Sequence, residues 1–211
     1  EGIQLMLDFM SATGTVYVTD VQIERQSPGL VIEKADFGEG ATLIENDAVS
    51  GEELNKIRYQ WGGSIKAMDG KEVTQSFTDA FSIVSDVTPA GIAGALKINA
   101  KAGMLYNVRQ IIEKLEAGME YVVHVQVKTE SLTGSGAYLS LSYLDKDGKI
   151  LSTDAANLIT SKAAGTNGWS DMWVIFTAPQ DAADLLISLN VENADGTVYF
   201  SDAVIESALF Y

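Results

Sequence analysis

The chain has 211 residues, of which 14 are basic, 29 acidic and 46% hydrophobic, and its formal net charge is −15. This length and apolar content predict one folded domain, or one domain and a fragment, with a full core. The acidic balance argues against nucleic acid and against an anionic membrane surface, because both select for Lys and Arg, and no apolar run approaches the ~20 residues of a bilayer span.

The first predicted element is a segment whose sequence is repeated near the end of the chain. Residues 7–24 align without gaps with residues 189–206. Identical pairs include Leu7/Leu189, Ala12/Ala194, Gly14/Gly196, Thr15/Thr197, Val16/Val198, Tyr17/Tyr199, Asp20/Asp202, Ile23/Ile205 and Glu24/Glu206. The repeat is predicted to be a β-hairpin. Either residues 1–26 are the terminal hairpin of an upstream copy and residues 27–211 the complete module, or residues 1–26 dock as extra strands of this domain.

The later elements are strands, because apolar and polar residues alternate with a period of two. In chain order, the alternating runs are residues 121–128, 138–143, 172–176 and 185–192. Tyr121 and Tyr143 are expected on the core face. Turn sequences at 116–118, 145–148 and 194–196 are expected to separate strands. Many short strands at regular spacing predict an all-β fold, an antiparallel β-sandwich of the jelly-roll type.

Five short motifs follow one another along the chain. They are Ala35-Asp36-Phe37-Gly38-Glu39-Gly40 and the stretches at 108–112, 115–121, 168–179 and 196–202. Together they resemble the motifs of carbohydrate-binding modules of the family 4, 9, 16 and 22 type. The chain departs from the family pattern at Gly38, at Ser201 and in the long segment 41–90. The resemblance implies a jelly roll that binds polysaccharide without catalysis and is attached to a secreted glycoside hydrolase.

Sugars are recognised by aromatic rings and by planar polar side chains, so a glycan-binding sheet face should carry both and little aliphatic surface. The outward faces of the predicted strands offer His124, Gln126, Tyr138, Ser140, Ser142, Trp173, Ser188 and Asn190. Asn107 and Arg109 are expected beside them, because burying Arg109 unpaired would cost several kcal/mol. We expect these side chains to line one open trough.

Three of the aromatic residues have two possible roles. Trp173 could contact ligand or pack beneath a loop, and the same choice holds for Tyr59 and Trp61 at the edge of the trough. Trp169 is expected in the core.

The resemblance also implies a structural Ca²⁺ where the opening loop meets the closing strand. The oxygen ligands that this sequence could supply there are Asp36, Glu39 and Asp202, together with backbone carbonyls. Residues 145–148 resemble the start of an EF-hand loop, but Ala156 stands where that loop requires Glu. That stretch is therefore predicted to be a turn.

Catalytic patterns are missing from the sequence. Cysteine is absent and His124 is the single histidine, which excludes thiol nucleophiles and multi-histidine metal sites. Glu45 and Asp47 begin the E-x-D-x-x-E pattern of jelly-roll glucanases, but Ser50 takes the third position. The chain is predicted not to be an enzyme.

The predicted function is to bring an attached, secreted glycoside hydrolase to plant cell-wall β-1,4-glycan, either xylan or β-glucan. The expected partners are polysaccharide or oligosaccharide and covalently linked further modules, outside the cell or at its surface. Two alternatives stay open, namely a structural or adhesive jelly-roll spacer of a large surface protein and a protein–protein module. Trp173→Ala and Tyr138→Ala are both expected to abolish retardation on glycan gels.

Overall fold

The computed structural model describes residues 31–35, 37–38, 41–48, 51–151 and 158–207. The strands of this part are β1 (Val31–Ala35), β2 (Leu43–Glu45), β3 (Trp61–Ala67), β4 (Phe81–Val84), β5 (Ala95–Ala100), β6 (Met104–Ile112), β7 (Glu120–Leu144), β8 (Ala163–Thr177) and β9 (Asp184–Ser207). Its helices are α1 (Gly51–Asn55), a 3-10 turn (Lys56–Arg58) and α2 (Phe77–Ala80). Within the described ranges, no helix has the length and apolar character needed to cross a membrane.

Strands β7 and β9 form a long antiparallel ribbon that bends halfway along. Tyr121 lies opposite Ser207 at one end, and Leu144 lies opposite Asp184 at the other. The pairing shifts register between Glu130 and Thr133, and Gly136 follows with φ of 108°. A Cβ atom on Gly136 would lie 2.4 Å from the carbonyl oxygen of Ala163, so the bend requires glycine there.

The bend carries the ribbon from one layer of a sandwich to the other. In the first sheet the order is β2, β3, β6, the first half of β9 and the second half of β7. In the second sheet β4, β5, the second half of β9, the first half of β7 and β8 follow one another, with β1 beside β9. All these pairs are antiparallel except β2 with β3, so the predicted β-sandwich is confirmed.

Two of the three predicted turns are confirmed. The Gly148 amide donates to the Asp145 carbonyl at 2.9 Å, and the Met119 amide donates to the Glu116 carbonyl at 3.1 Å. The third prediction is wrong, because residues 194–196 lie inside β9 at the bend. In the later copy of the repeat, the expected hairpin is therefore one continuous strand. The earlier copy and the proposed boundary at residue 26 lie outside the described residues, and both interpretations of them stay open.

One apolar cluster fills the space between the sheets. Val123 and Val125 enter it from the second sheet, and Leu139 and Leu141 enter it from the first. Tyr121 and Tyr143 are buried as predicted. Each such side chain contributes roughly 1.5–3 kcal/mol when it leaves water, so this alternation holds the two layers together.

A smaller cluster lies on the outer surface of the first sheet. Leu54 and Ile57, from α1 and the 3-10 turn, pack there on Ile111 and Leu186. Gly62 lies directly beneath, since a Cβ atom at that position would approach Ile57 Cγ2 to 2.4 Å. Leu54 and Ile57 belong to the long segment 41–90, where the chain departs from the family pattern, and this segment thus covers one end of the outer face of the first sheet.

Candidate functional site

The outer face of the first sheet carries a row of polar side chains across four neighbouring strands. Ser64 of β3 lies opposite Asn107 of β6, which lies opposite Asn190 of β9, which lies opposite Tyr138 of β7. Residues directly opposite one another share a face, so these four side chains form one line, here called the amide row. Three strand spacings make the row about 14 Å long.

Hydrogen bonds fix the two amides of the row. Asn107 Nδ2 donates to Asn190 Oδ1 at 2.5 Å, and Asn190 Nδ2 donates to Ser140 Oγ at 2.9 Å. Asn190 is 4% exposed, whereas Asn107 and Tyr138 are half-buried. Asn190 therefore orients its neighbours, and Asn107 and Tyr138 are the groups of the row that a ligand can reach.

An ion pair lies above the Tyr138 ring. Lys162 Nζ is 5.0 Å from the ring centroid and 2.5 Å from Glu192 Oε2. Burial, followed by the Glu192 charge, raises the pKa of the Tyr138 phenol. Sequence reasoning missed Lys162, which lies outside every alternating run. Glu192 ends the run at 185–192, and its charge was the available signal.

Arg109 lies on this face, as predicted, but it is only 6% exposed. Its Nη2 atom donates to the Asn46 carbonyl at 3.1 Å, so the guanidinium anchors the loop that covers it. Desolvation lowers the pKa of Arg109, and the charge of Asp47 opposes that shift. Tyr59 directly follows the 3-10 turn at the same end of the sheet and is 84% exposed. Arg109 thus supports the wall of the site, and Tyr59 projects from it.

Three other predicted residues lie on the opposite side of the sandwich. His124 of β7 is paired with Trp173 of β8, and Gln126 is paired with Asp171. Their neighbours Val123 and Val125 point into the core, so these side chains face outward from the second sheet. The expectation of one trough is therefore corrected to two outer faces, because the bend in β7 separates His124 from Tyr138.

The structure decides between the two roles left open for Trp61 and corrects the role expected for Trp169. Trp61 is 2% exposed and stacks on Phe37 with ring centroids 4.8 Å apart, so it lies between the sheets and cannot form the edge of a groove. Gly62 and Ser64 take the outward positions of that strand. Trp169 is half-buried on the outer face of the second sheet, against the Tyr199 ring at 6.4 Å, because it shares the outward register of Trp173. Its predicted place in the core is wrong.

Only one of the three predicted calcium ligands lies among the described residues. Asp202 lies in β9 with φ of 50°, whereas Asp36 and Glu39 lie outside the described residues. Among the side chains that the structure describes, no group of three histidine or carboxylate residues could hold a metal ion. Calcium binding stays a prediction.

Comparison with known proteins shows likeness in fold. No protein-family model and no curated protein match the chain. A xylan-binding domain of CBM22 matches with a TM-score of 0.52 at 15% identity, over 87% of this chain and 98% of that one. The CBM22-1–CBM22-2 tandem of Paenibacillus barcinonensis Xyn10C matches with a TM-score of 0.53 at 12% identity. This match covers 86% of the present chain and 46% of the tandem.

A third solved structure is the enzymatically active domain of tailspike protein 4 of bacteriophage CBA120, with a TM-score of 0.54 at 15% identity. This match covers 77% of the present chain and 21% of the tailspike chain, so the chain spans about a fifth of that relative. The fold is thus the jelly-roll sandwich of carbohydrate-binding modules. The resemblance drawn from the sequence motifs is confirmed at the level of the fold.

Proposed function

We propose that the chain is a non-catalytic carbohydrate-binding module whose binding site is the outer face of the first sheet. The amide row is the observation that carries the proposal. It presents an aromatic ring and its hydroxyl beside an amide, which is the chemistry that stacks on a pyranose and bonds its hydroxyls. The loop above Arg109 closes one end, so the binding face has a wall.

A neutral β-1,4-glycan, either xylan or β-glucan, suits this site best. The net charge of −15 repels acidic polysaccharides, and a module with this fold binds xylan. Glycoside hydrolysis needs two carboxyl groups that flank the scissile bond. Glu192 beside the amide row is paired with Lys162, and the Asp47 charge acts on Arg109, so both carboxylates have a cationic neighbour. This supports binding without catalysis.

The same chemistry supports a proposal for the cellular role. A passive site of this kind is useful when it is linked to an enzyme, because binding to the polymer raises the effective concentration of the enzyme at its substrate. We infer that the chain is a part of a secreted or cell-surface protein and is covalently joined to a glycoside hydrolase or to further modules.

Affinity gels containing soluble xylan or β-glucan test the site. Tyr138→Ala and Asn107→Ala should each weaken retardation about tenfold or more, equivalent to about 1.4 kcal/mol. Trp173→Ala is the matched control, since it removes an aromatic ring from the opposite sheet. Urea midpoints close to that of the wild type would show that all three variants are folded.

The outcomes separate the possible sites. Loss of retardation in Trp173→Ala alone would move the site to the second sheet, where the prediction for Trp173, His124 and Gln126 still stands. A wild-type chain that no plant cell-wall β-glycan retards would refute glycan binding. It would favour the structural or adhesive spacer.

A further inference from the structure

The outer face of the second sheet carries an apolar patch, here called the Trp173 patch. It is made by the exposed Trp173 and Ile175, the half-buried Val122 and the buried Val204. Trp173 and Ile175 are 54% and 46% exposed. His124 links Trp173 to Val204 across the strands, and Val122 lies directly beside Ile175. Ile175 and Val122 lie on one side of the ring, whereas the amide row contains no aliphatic side chain, so the patch suits a protein surface better than a sugar. Exposed apolar patches of this kind mark interaction sites.

The chain enters the second sheet beside this patch. Strand β1 begins at Val31, which lies opposite Glu206. Glu206 lies opposite Val122, and Val122 lies opposite Ile175. Three strand spacings, about 14 Å, therefore separate the start of β1 from the exposed Ile175. The peptide bond to Val31 attaches residues 1–30 to this end of the sheet.

Those residues include a segment with its own apolar face. In β9, the side chains of Val198, Phe200, Ala203 and Ile205 point into the core and are fully buried. The matching positions in residues 7–24 are Val16, Val18, Val21 and Ile23, all of them apolar. A strand with this sequence pattern would need a partner for its apolar face, because an alternating strand left alone in water is unstable.

We propose that residues 7–24 dock on the Trp173 patch of their own chain through Val16, Val18, Val21 and Ile23. Each of the two apolar surfaces then covers the other. The six residues 25–30 reach about 20 Å when extended, which exceeds the distance of about 14 Å between the start of β1 and Ile175. So short a tether gives the segment a high effective concentration at the patch and favours docking within one chain.

Photocrosslinking of the full-length chain tests the contact. A benzophenone amino acid that replaces Ile175 should crosslink to a peptide from residues 7–24 of the same chain, identified by mass spectrometry after digestion. The matched control places the same probe at Tyr59, which is 84% exposed on the other side of the sandwich. That probe should give no crosslink to residues 7–24.

Tryptophan quenching gives a second readout in the full chain. The signal of Trp173 is the difference between the wild type and Trp173→Phe. Acrylamide quenching of that signal should rise severalfold when Val16→Asp and Val18→Asp are combined.

Four results would overturn the proposal. Crosslinks between chains that increase with protein concentration would assign the patch to a second copy. Protection of Trp173 from acrylamide that appears only with added xylan would assign the Trp173 patch to glycan binding. No crosslink to residues 7–24, or free quenching of Trp173 in the wild type, would show that the segment does not cover the patch.

Discussion

The cover over the first sheet can be tested at Ile57. Its side chain is fully buried between α1 and the sheet, where it contacts the small cluster that includes Leu54 and Leu186. Ile57→Ala removes three buried carbons, worth about 2.4 kcal/mol at roughly 0.8 kcal/mol each. The cavity adds to this loss, so the free energy of unfolding should fall by about 3–4 kcal/mol.

Urea denaturation followed by far-UV circular dichroism measures this loss, and the thermal midpoint should fall by roughly 10 °C. Ile159→Ala is the matched control, because Ile159 is exposed and its truncation should cost less than about 0.5 kcal/mol. Amide exchange of Asn46, whose N–H donates to the Gly63 carbonyl at 2.8 Å, should accelerate in Ile57→Ala.

The reasoning would be refuted by an Ile57→Ala variant with the stability of the wild type and an unchanged exchange rate at Asn46. Such a result would mean that α1 and the 3-10 turn do not pack on the first sheet. The wall of the proposed binding face would then be absent in solution.

Three other predictions follow from the packing. Gly136→Ala should cost at least about 2 kcal/mol in urea denaturation, whereas Gly70→Ala, also at positive φ but with open space around it, should cost about 1 kcal/mol. Trp61→Ala should lose about 3–5 kcal/mol of stability, whereas Trp61→Phe should keep glycan retardation; loss of retardation in a folded Trp61→Phe would contradict its place in the core. Burial raises the phenol pKa of four tyrosines. The contribution of these phenols to stability should therefore be full below the pKa of the unfolded state, near 10, and should be lost as the pH rises through the pKa of the folded state. Urea midpoints and phenolate absorbance as functions of pH would show this loss. The four tyrosines are Tyr106, Tyr138, Tyr143 and Tyr199.

The alternation in the sequence determined which side chains enter the core and which point out. Tyr121, Val123 and Val125 are buried, and His124 and Gln126 point outward, because side chains of a strand alternate between two faces whatever the sheet does next. Asn107, Asn190 and Tyr138 each point outward for the same reason. The all-β class and the turn at 145–148 were equally local properties.

Only the tertiary structure decided which outward faces belong together. The bend at Gly136 sends the halves of β7 into different sheets, so Tyr138 and Trp173, both outward, face opposite directions. A glycine at positive φ occurs both in a hairpin turn and in a bent strand, and the long-range pairing with β9 distinguishes the two. The burial of Arg109 likewise depends on the loop that contains Asn46, and the burial of Trp61 depends on Phe37. Both partners are distant in sequence from the residues that they cover. Local periodicity carries no information about such contacts.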